Sequence, residues 1–251
     1  RGNELTDGDC IHKGTGRRSK GVVPVHVLGH PVDMTAIVAV AHQHRLVVIE
    51  DAAEALGSSI LVGGHQKRCG SLGDVGVLSF NANKFITTGA GGMLLTDDEA
   101  LAQQARHLSR LAKTTRQDRN EFDGVGYNYG MPNLNAALGL AQWKKFDELW
   151  AAKQALNLHY ETILNSFPEA SLVSGRATAC SNQWMNAVVF EAEDAARGAL
   201  AYLRSQSIMA RGLWQPLHQS AAYQDCPRDS MQHTDSMANR VILLPSGIPA
   251  L

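Results

Sequence analysis

Residues 21–51 read GVVPVHVLGHPVDMTAIVAVAHQHRLVVIED, and their pattern decides the fold. Gly21–Val27 is a β-branched run that ends in a Gly-His-Pro turn. Asp33 then stands where a helix cap belongs, and Met34, Ile37, Val38 and Ala41 fall on one helical face. Arg45–Glu50 is a second apolar run, ending at Asp51. Strand, helix, strand is the unit that builds parallel sheets buried on both faces. The spacing therefore predicts an α/β chain with a mostly parallel sheet.

Outward from this unit, Val75–Phe80 and Gly92–Thr96 read as two further strands, joined by the glycine-rich connection Thr87–Gly92. A helix is predicted to start near Asp98, with Leu101, Ala105 and Leu108 on one face. A long helical pattern runs from about Asn133 to Ile163. Beyond it the rhythm changes. Trp184–Phe190 reads as a strand, Asp194–Ser207 as a helix and Ile208–Leu213 as a strand. Two domains are expected: a partial large α/β domain over residues 1–150 and a small α+β domain over 151–251.

The chain has 251 residues, 44% of them hydrophobic and 19% charged, which is enough to bury a real core. A net charge of -1 provides no basic face, so a nucleic-acid partner is not expected. The longest apolar stretch, residues 21–41, is broken by Pro24, Pro31 and Asp33, so no membrane span is expected either. Residues 1–20 are polar and glycine-rich and have no signal-peptide core. Cys10, Cys69, Cys180 and Cys226 are widely spaced, which fits reduced thiols in a cytoplasmic protein.

Ligands of open parallel sheets bind beyond the carboxyl ends of the strands. Asp51 follows one predicted strand, and Ser79 and Lys84 follow another, so a carboxylate and an amine would share one cleft. A lysine amine can form a Schiff base with an aldehyde cofactor. A carboxylate facing a pyridine nitrogen keeps that ring protonated and electron-withdrawing. Ser79 would offer a hydroxyl to a phosphate, with backbone amides near the glycines adding donors. Singly, these residues have plainer readings: Asp51 as a cap or turn, Lys84 as solvated surface, Thr87–Gly92 as an ordinary loop. The histidines at 26, 30, 42 and 44 do not suggest a metal, because His42 and His44 lie two apart on a predicted helix and diverge. No phosphate-loop, dinucleotide or nucleophile-elbow motif is present.

Five ordered strings carry more information: 24–34 (PVHVLGHPVDM), 49–57 (IEDAAEALG), 70–80 (GSLGDVGVLSF), 81–96 (NANKFITTGAGGMLLT) and 126–139 (GYNYGMPNLNAALG). Together they resemble the DegT/DnrJ/EryC1/StrS family of sugar aminotransferases, from about Val22 to the C-terminus. The resemblance implies the fold type I architecture of pyridoxal phosphate enzymes, which is that of aspartate aminotransferase. It implies pyridoxal 5'-phosphate as cofactor and Lys84 as the Schiff-base lysine and proton shuttle. Asp51 would face the pyridine nitrogen and Glu54 would lie near the ring hydroxyl. Ser79 would bind the phosphate. Asn128 would reach the phosphate of a neighbouring subunit's cofactor, which implies a homodimer with shared sites. Glu54 and the string EDAAEALGS resemble the branch acting on 4-keto-6-deoxy UDP-amino sugars, which includes the bacillosamine and legionaminic-acid pathways. Arg211, Trp214 and His218 resemble the strand lining the sugar site in that branch.

Two departures stand out. The chain begins where the family is already partway through its large domain, so an N-terminal truncation is expected. Gly130 stands where the family usually carries an arginine that contacts phosphate, a charged hydrogen bond worth roughly 1.5–3 kcal/mol. The expected function is transfer of an amino group from glutamate to a keto carbon of a nucleotide-linked sugar, in the cytoplasm, for cell-surface polysaccharide. The alternative is a truncated, weakly binding, non-catalytic remnant.

Overall fold

The computed structural model describes residues 3–6, 8–114 and 118–248. The outermost residues of both expected domains, 1, 2 and 249–251, lie outside this range. In chain order, a hairpin of β1 (Asn3–Thr6) and β2 (Asp9–His12) leads to β3 (Gly21–Val22), α1 (Met34–Gln43) and β4 (Val47–Asp51). A second hairpin, β5 (Ser59–Val62) and β6 (His65–Arg68), precedes β7 (Val75–Ser79) and β8 (Gly92–Leu95). Three helices follow: α2 (Glu99–Leu108), α3 (Asn133–Trp143) and α4 (Phe146–Leu164). The remainder is β9 (Ala170–Leu172), β10 (Ala179–Cys180), β11 (Ala187–Phe190), α5 (Glu193–Ser205), β12 (Arg211–Gly212), α6 (Gln232–Arg240) and β13 (Val241–Leu243).

The sheet that carries the site has the order β3-β4-β7-β8. Its first three strands are parallel, and β8 returns antiparallel to β7. A second sheet, β12-β13-β11-β9, is antiparallel throughout. The expected α/β fold with a mixed, mostly parallel site sheet is therefore present. Among the described residues no helix is long and apolar enough to cross a membrane.

Helix α1 forms as its sequence directs. The Asp33 carboxylate accepts the Ala36 N–H at 3.2 Å, which satisfies one free amide of the first turn. Met34 and Ala41 are buried with Val48 and Ile60 in one cluster, with Val38 packed against it.

Five expectations need correction. The strand expected over Gly21–Val27 stops at Val22. Pro24 has no N–H for a ladder, and the chain turns at Val27–Gly29, where Leu28 has φ 60°. Even so, Asp51 N–H donates to Pro24 O at 2.9 Å and His26 N–H to Asp51 O at 3.1 Å, so this segment still holds the tip of β4. Second, strands β3 and β4 are not covered on both faces. Val48 and Glu50 are buried, whereas Val23, Val25, Val47 and Ile49 are 59%, 39%, 48% and 38% exposed. The register of β3 and β4 puts these four on one face, and α1 packs on the other. Third, the pattern from Asn133 to Ile163 is two helices, broken at Lys144–Lys145. The break lets Phe146 and Trp150 meet Phe85 at ring-centroid distances of 5.1 and 6.0 Å. The expected strand Ile208–Leu213 also shortens to β12, and that expected at Trp184 begins at Ala187.

Gly76 shows how tightly the sheet is filled. A Cβ at this buried position would lie 1.8 Å from Gly70 O and 2.6 Å from Gly70 C. Only backbone movement could relieve that contact. Gly76→Ala is expected to destabilise the chain by about 1–3 kcal/mol. A urea-unfolding midpoint equal to that of the parent would show that the Gly70 turn does not seat against β7.

Candidate active site

The site grows from two neighbouring strand tips. Ile49, Glu50 and Asp51 of β4 pair with Val75, Gly76 and Val77 of β7. Paired residues share a face, and the two-residue period then puts Asp51, Val77 and Ser79 on the same side. Past Ser79 the chain turns: Lys84 N–H donates to Asn81 O at 3.1 Å. The segment closes on Phe80, whose N–H donates to Gly91 O and whose carbonyl accepts the Thr88 N–H, both at 2.9 Å. The glycine-rich connection is therefore what returns the chain from Lys84 to β8.

Lys84 is the centre of the arrangement. Its Nζ lies 3.6 Å from Glu54 Oε1, and both side chains are mostly buried, 14% and 18% exposed. The same Nζ lies 4.2 Å from the centre of the Trp184 ring. Glu54 is itself held, because its Oε2 accepts the Leu28 N–H at 2.7 Å. The amine thus has a shielded carboxylate on one side and an indole face within cation–π distance. Asp51 uses Oδ1 to accept the Ala53 N–H at 3.0 Å. Ser79 Oγ accepts the Asn81 N–H at 3.3 Å.

Behind Asp51 sits a buried polar group. Glu50 is fully buried and its carboxylate is fully engaged. Oε1 accepts from Gly70 N–H at 2.7 Å and from His26 Nε2 at 2.9 Å; Oε2 accepts from Leu72 N–H at 2.7 Å and Gly73 N–H at 3.0 Å. His26 Nδ1 accepts the Val32 N–H at 3.1 Å, so the ring proton is on Nε2 and is donated to Glu50. Burial pushes the Glu50 carboxyl up, but the four donors outweigh it and hold the group below its ordinary range. Cys69 lies beside this pair, and burial with the Glu50 charge pushes its thiol up to about 12. His26, Glu50 and Cys69 lie within 4.8 Å of one another, the spacing of a metal ligand set. The Glu50 oxygens and His26 Nδ1 already accept from the chain's own donors, so the Glu50–His26 pair reads as a structural clamp on the loop from Cys69 to Gly73.

The remaining expected site residues divide. Trp214 stacks on Trp184 at a centroid distance of 6.3 Å and an interplanar angle of 5°, which joins it to the Lys84 group. Arg211 lies exposed on β12 opposite Leu243. His218 pairs with Asp235 at 2.9 Å. Asn128 lies on an exposed segment whose neighbours Tyr127 and Tyr129 donate to Leu108 O at 2.7 Å and Ser109 O at 3.0 Å. Among the described residues, no hydrogen bond or ion pair links Arg211, His218 or Asn128 to Lys84, Glu54 or Asp51. Sequence reasoning missed Trp184, read only as the start of a strand. Its one signal was a tryptophan among polar residues, SNQWMN.

The sequence profile of the DegT/DnrJ/EryC1/StrS aminotransferase family matches residues 6–249. EpsN of Bacillus subtilis, named as a pyridoxal phosphate-dependent aminotransferase, is 32% identical over 239 residues, covering 94% of this chain and 60% of EpsN. The GDP-perosamine synthase of Caulobacter vibrioides is 45% identical over 144 residues, 57% of this chain and 38% of that protein. The crystal structure of the aminotransferase TlmJ from Streptoalloteichus hindustanus superposes with a TM-score of 0.84 at 28% identity, covering 92% of this chain and 61% of TlmJ. The chain thus spans about three fifths of the length of EpsN and TlmJ. With the profile matched across nearly its whole length, the chain belongs to the DegT/DnrJ/EryC1/StrS aminotransferase family.

Proposed function

We propose that the chain works as a pyridoxal 5'-phosphate-dependent aminotransferase, moving an amino group from glutamate to a keto carbon of a nucleotide-linked 4-keto-6-deoxy sugar. The observation that carries this reading is the shielded Lys84 amine, 3.6 Å from Glu54, just past the strand tips that bear Asp51 and Ser79. The donor set suits the cofactor. Asp51 Oδ1 is engaged by Ala53, and Oδ2 has no partner among the described residues. Ser79 Oγ accepts one bond and keeps its own proton to donate to a phosphate oxygen. When bound, the cofactor supplies an electron-withdrawing ring that accepts the electron pair of a carbanion.

The chain's own residues would then divide the work. Asp51 Oδ2 would hold a proton at the ring nitrogen. Lys84 Nζ would anchor the cofactor, then take a proton from one carbon and return it to another. Glu54 would balance the Lys84 charge and hold the amine in place. Arg211, Trp214 and His218 would line the sugar site, and Asn128 would serve the cofactor of a second copy in a homodimer. The same reading divides the chain into a partial large domain, residues 1–150, and a small one, 151–251, and puts it in cytoplasmic synthesis of cell-surface polysaccharide. The relatives support a nucleotide-linked sugar, since one is named for GDP-perosamine. Lys84, Glu54 and Asp51 standing together favour an enzyme over a remnant.

The test is direct. Pyridoxal phosphate added to the purified protein should give a visible absorbance band, and borohydride should fix the label on Lys84. A label spread over surface lysines, with no band, would overturn the reading.

A further inference from the structure

Trp184 does more than line the cleft, because every polar and aromatic handle it has is engaged. Its indole Nε1–H donates to Asn83 O at 2.7 Å, which is the carbonyl of the peptide that carries Lys84. Its ring face lies 4.2 Å from Lys84 Nζ. One side chain therefore restrains both ends of Lys84, the backbone by a hydrogen bond and the amine by the π face.

Trp184 is in turn fixed from three directions. Its backbone N–H donates to Asn182 Oδ1 at 2.9 Å. The Asn182 amide, fully buried, donates to Glu54 O at 2.8 Å and to Leu56 O at 3.1 Å. The loop bearing Glu54 and the strand entry bearing Trp184 are thus set by one side chain. The Trp184 carbonyl accepts from Lys153 Nζ at 2.9 Å, and the same ammonium also reaches Ser246 O. On its ring, Trp184 stacks in parallel with Trp214. The indole is 3% exposed, so its position is over-determined.

We propose that Trp184 is the positioning residue for Lys84: its N–H sets the Asn83–Lys84 peptide and its ring holds the amine beside Glu54. The inference deepens the functional reading above and rests on it for its purpose, but not for its test. Two variants separate the handles. Trp184→Phe keeps a ring and loses the N–H. Trp184→Leu loses both.

The readout is competitive reductive methylation of the cofactor-free protein with formaldehyde and cyanoborohydride, mapped by mass spectrometry. Lys144, exposed at the α3–α4 break, serves as the reference amine, and buried Lys153 reports unfolding. In Trp184→Leu the Lys84-to-Lys144 labelling ratio should rise about tenfold, the scale of a partly desolvated cation–π contact. In Trp184→Phe the ratio should rise less, while amide exchange at residues 81–84 speeds up about fivefold, the scale of one lost hydrogen bond. Exchange in α1 should not change. If Trp184→Leu also exposes Lys153, Trp184→Phe decides alone. An unchanged labelling ratio together with unchanged exchange at 81–84 would overturn the proposal. Neither readout uses the cofactor. A protein that fails to take pyridoxal phosphate at Lys84 would sink the functional reading and leave this one standing.

Discussion

Lys84→Ala should lower amino-group transfer by about 10³-fold or more, since in the proposed function Lys84 is both the anchoring amine and the proton carrier. No neighbouring group can take over. Lys153 is the other buried amine, and burial pulls it down to about 8, but its Nζ is bonded to the carbonyls of Trp184 and Ser246. Glu54 stays held by Leu28 in the variant, so the loop around it should survive. Lys84→Arg makes the sharper comparison. It preserves a cation beside Glu54 but cannot release a proton at working pH, so it should be as inactive as alanine. Single-turnover rates with a nucleotide-linked amino sugar would decide. Full activity in the arginine variant would mean that Lys84 serves only as a charge.

Glu50→Gln should cost about 3–5 kcal/mol of folding stability, the scale of two buried amide donors left without an acceptor at about 1–3 kcal/mol each. The carboxylate accepts three backbone amides and the His26 ring; an amide in its place turns one acceptor into a donor aimed at other donors. The pH dependence follows from the direction of the shift. The folded carboxyl is held below its ordinary value of 4.5, so its stabilisation is present above that pH and is lost as pH falls through the folded value. The gap between parent and variant in urea midpoint should be widest near neutrality and close in acid. Equal midpoints at pH 7 would show that Glu50 is not the clamp of the Cys69–Gly73 loop.

How much of this was legible beforehand differs by element. Helix α1 was readable because Asp33 and the apolar period agree. The strand tips at Asp51 and Ser79 were readable because each closes an apolar run. Hairpin β5–β6 was not, because His65, Gln66, Lys67 and Arg68 form a wholly exposed edge strand with no alternation to detect. The break at Lys144–Lys145 was hidden because apolar residues continue across it, and only Phe85 shows why the helix must restart. Glu50 looked like the end of a hydrophobic run, since a buried charge reveals its partners only once the loop beyond Cys69 is folded over it. Trp184 was missed for a similar reason: the lysine it serves lies a hundred positions earlier in the chain.

That separation shapes how the cleft comes into being. The bonds around Lys84 join residues 101, 126 and 128 positions apart, and Lys153 reaches a carbonyl 93 positions ahead. Closing such long loops costs entropy before any contact repays it, so contacts of this kind slow a folding reaction. The amine is therefore assembled late. On a ribosome, β4 and β7 can pair while the tryptophan that will steady their lysine has yet to be translated.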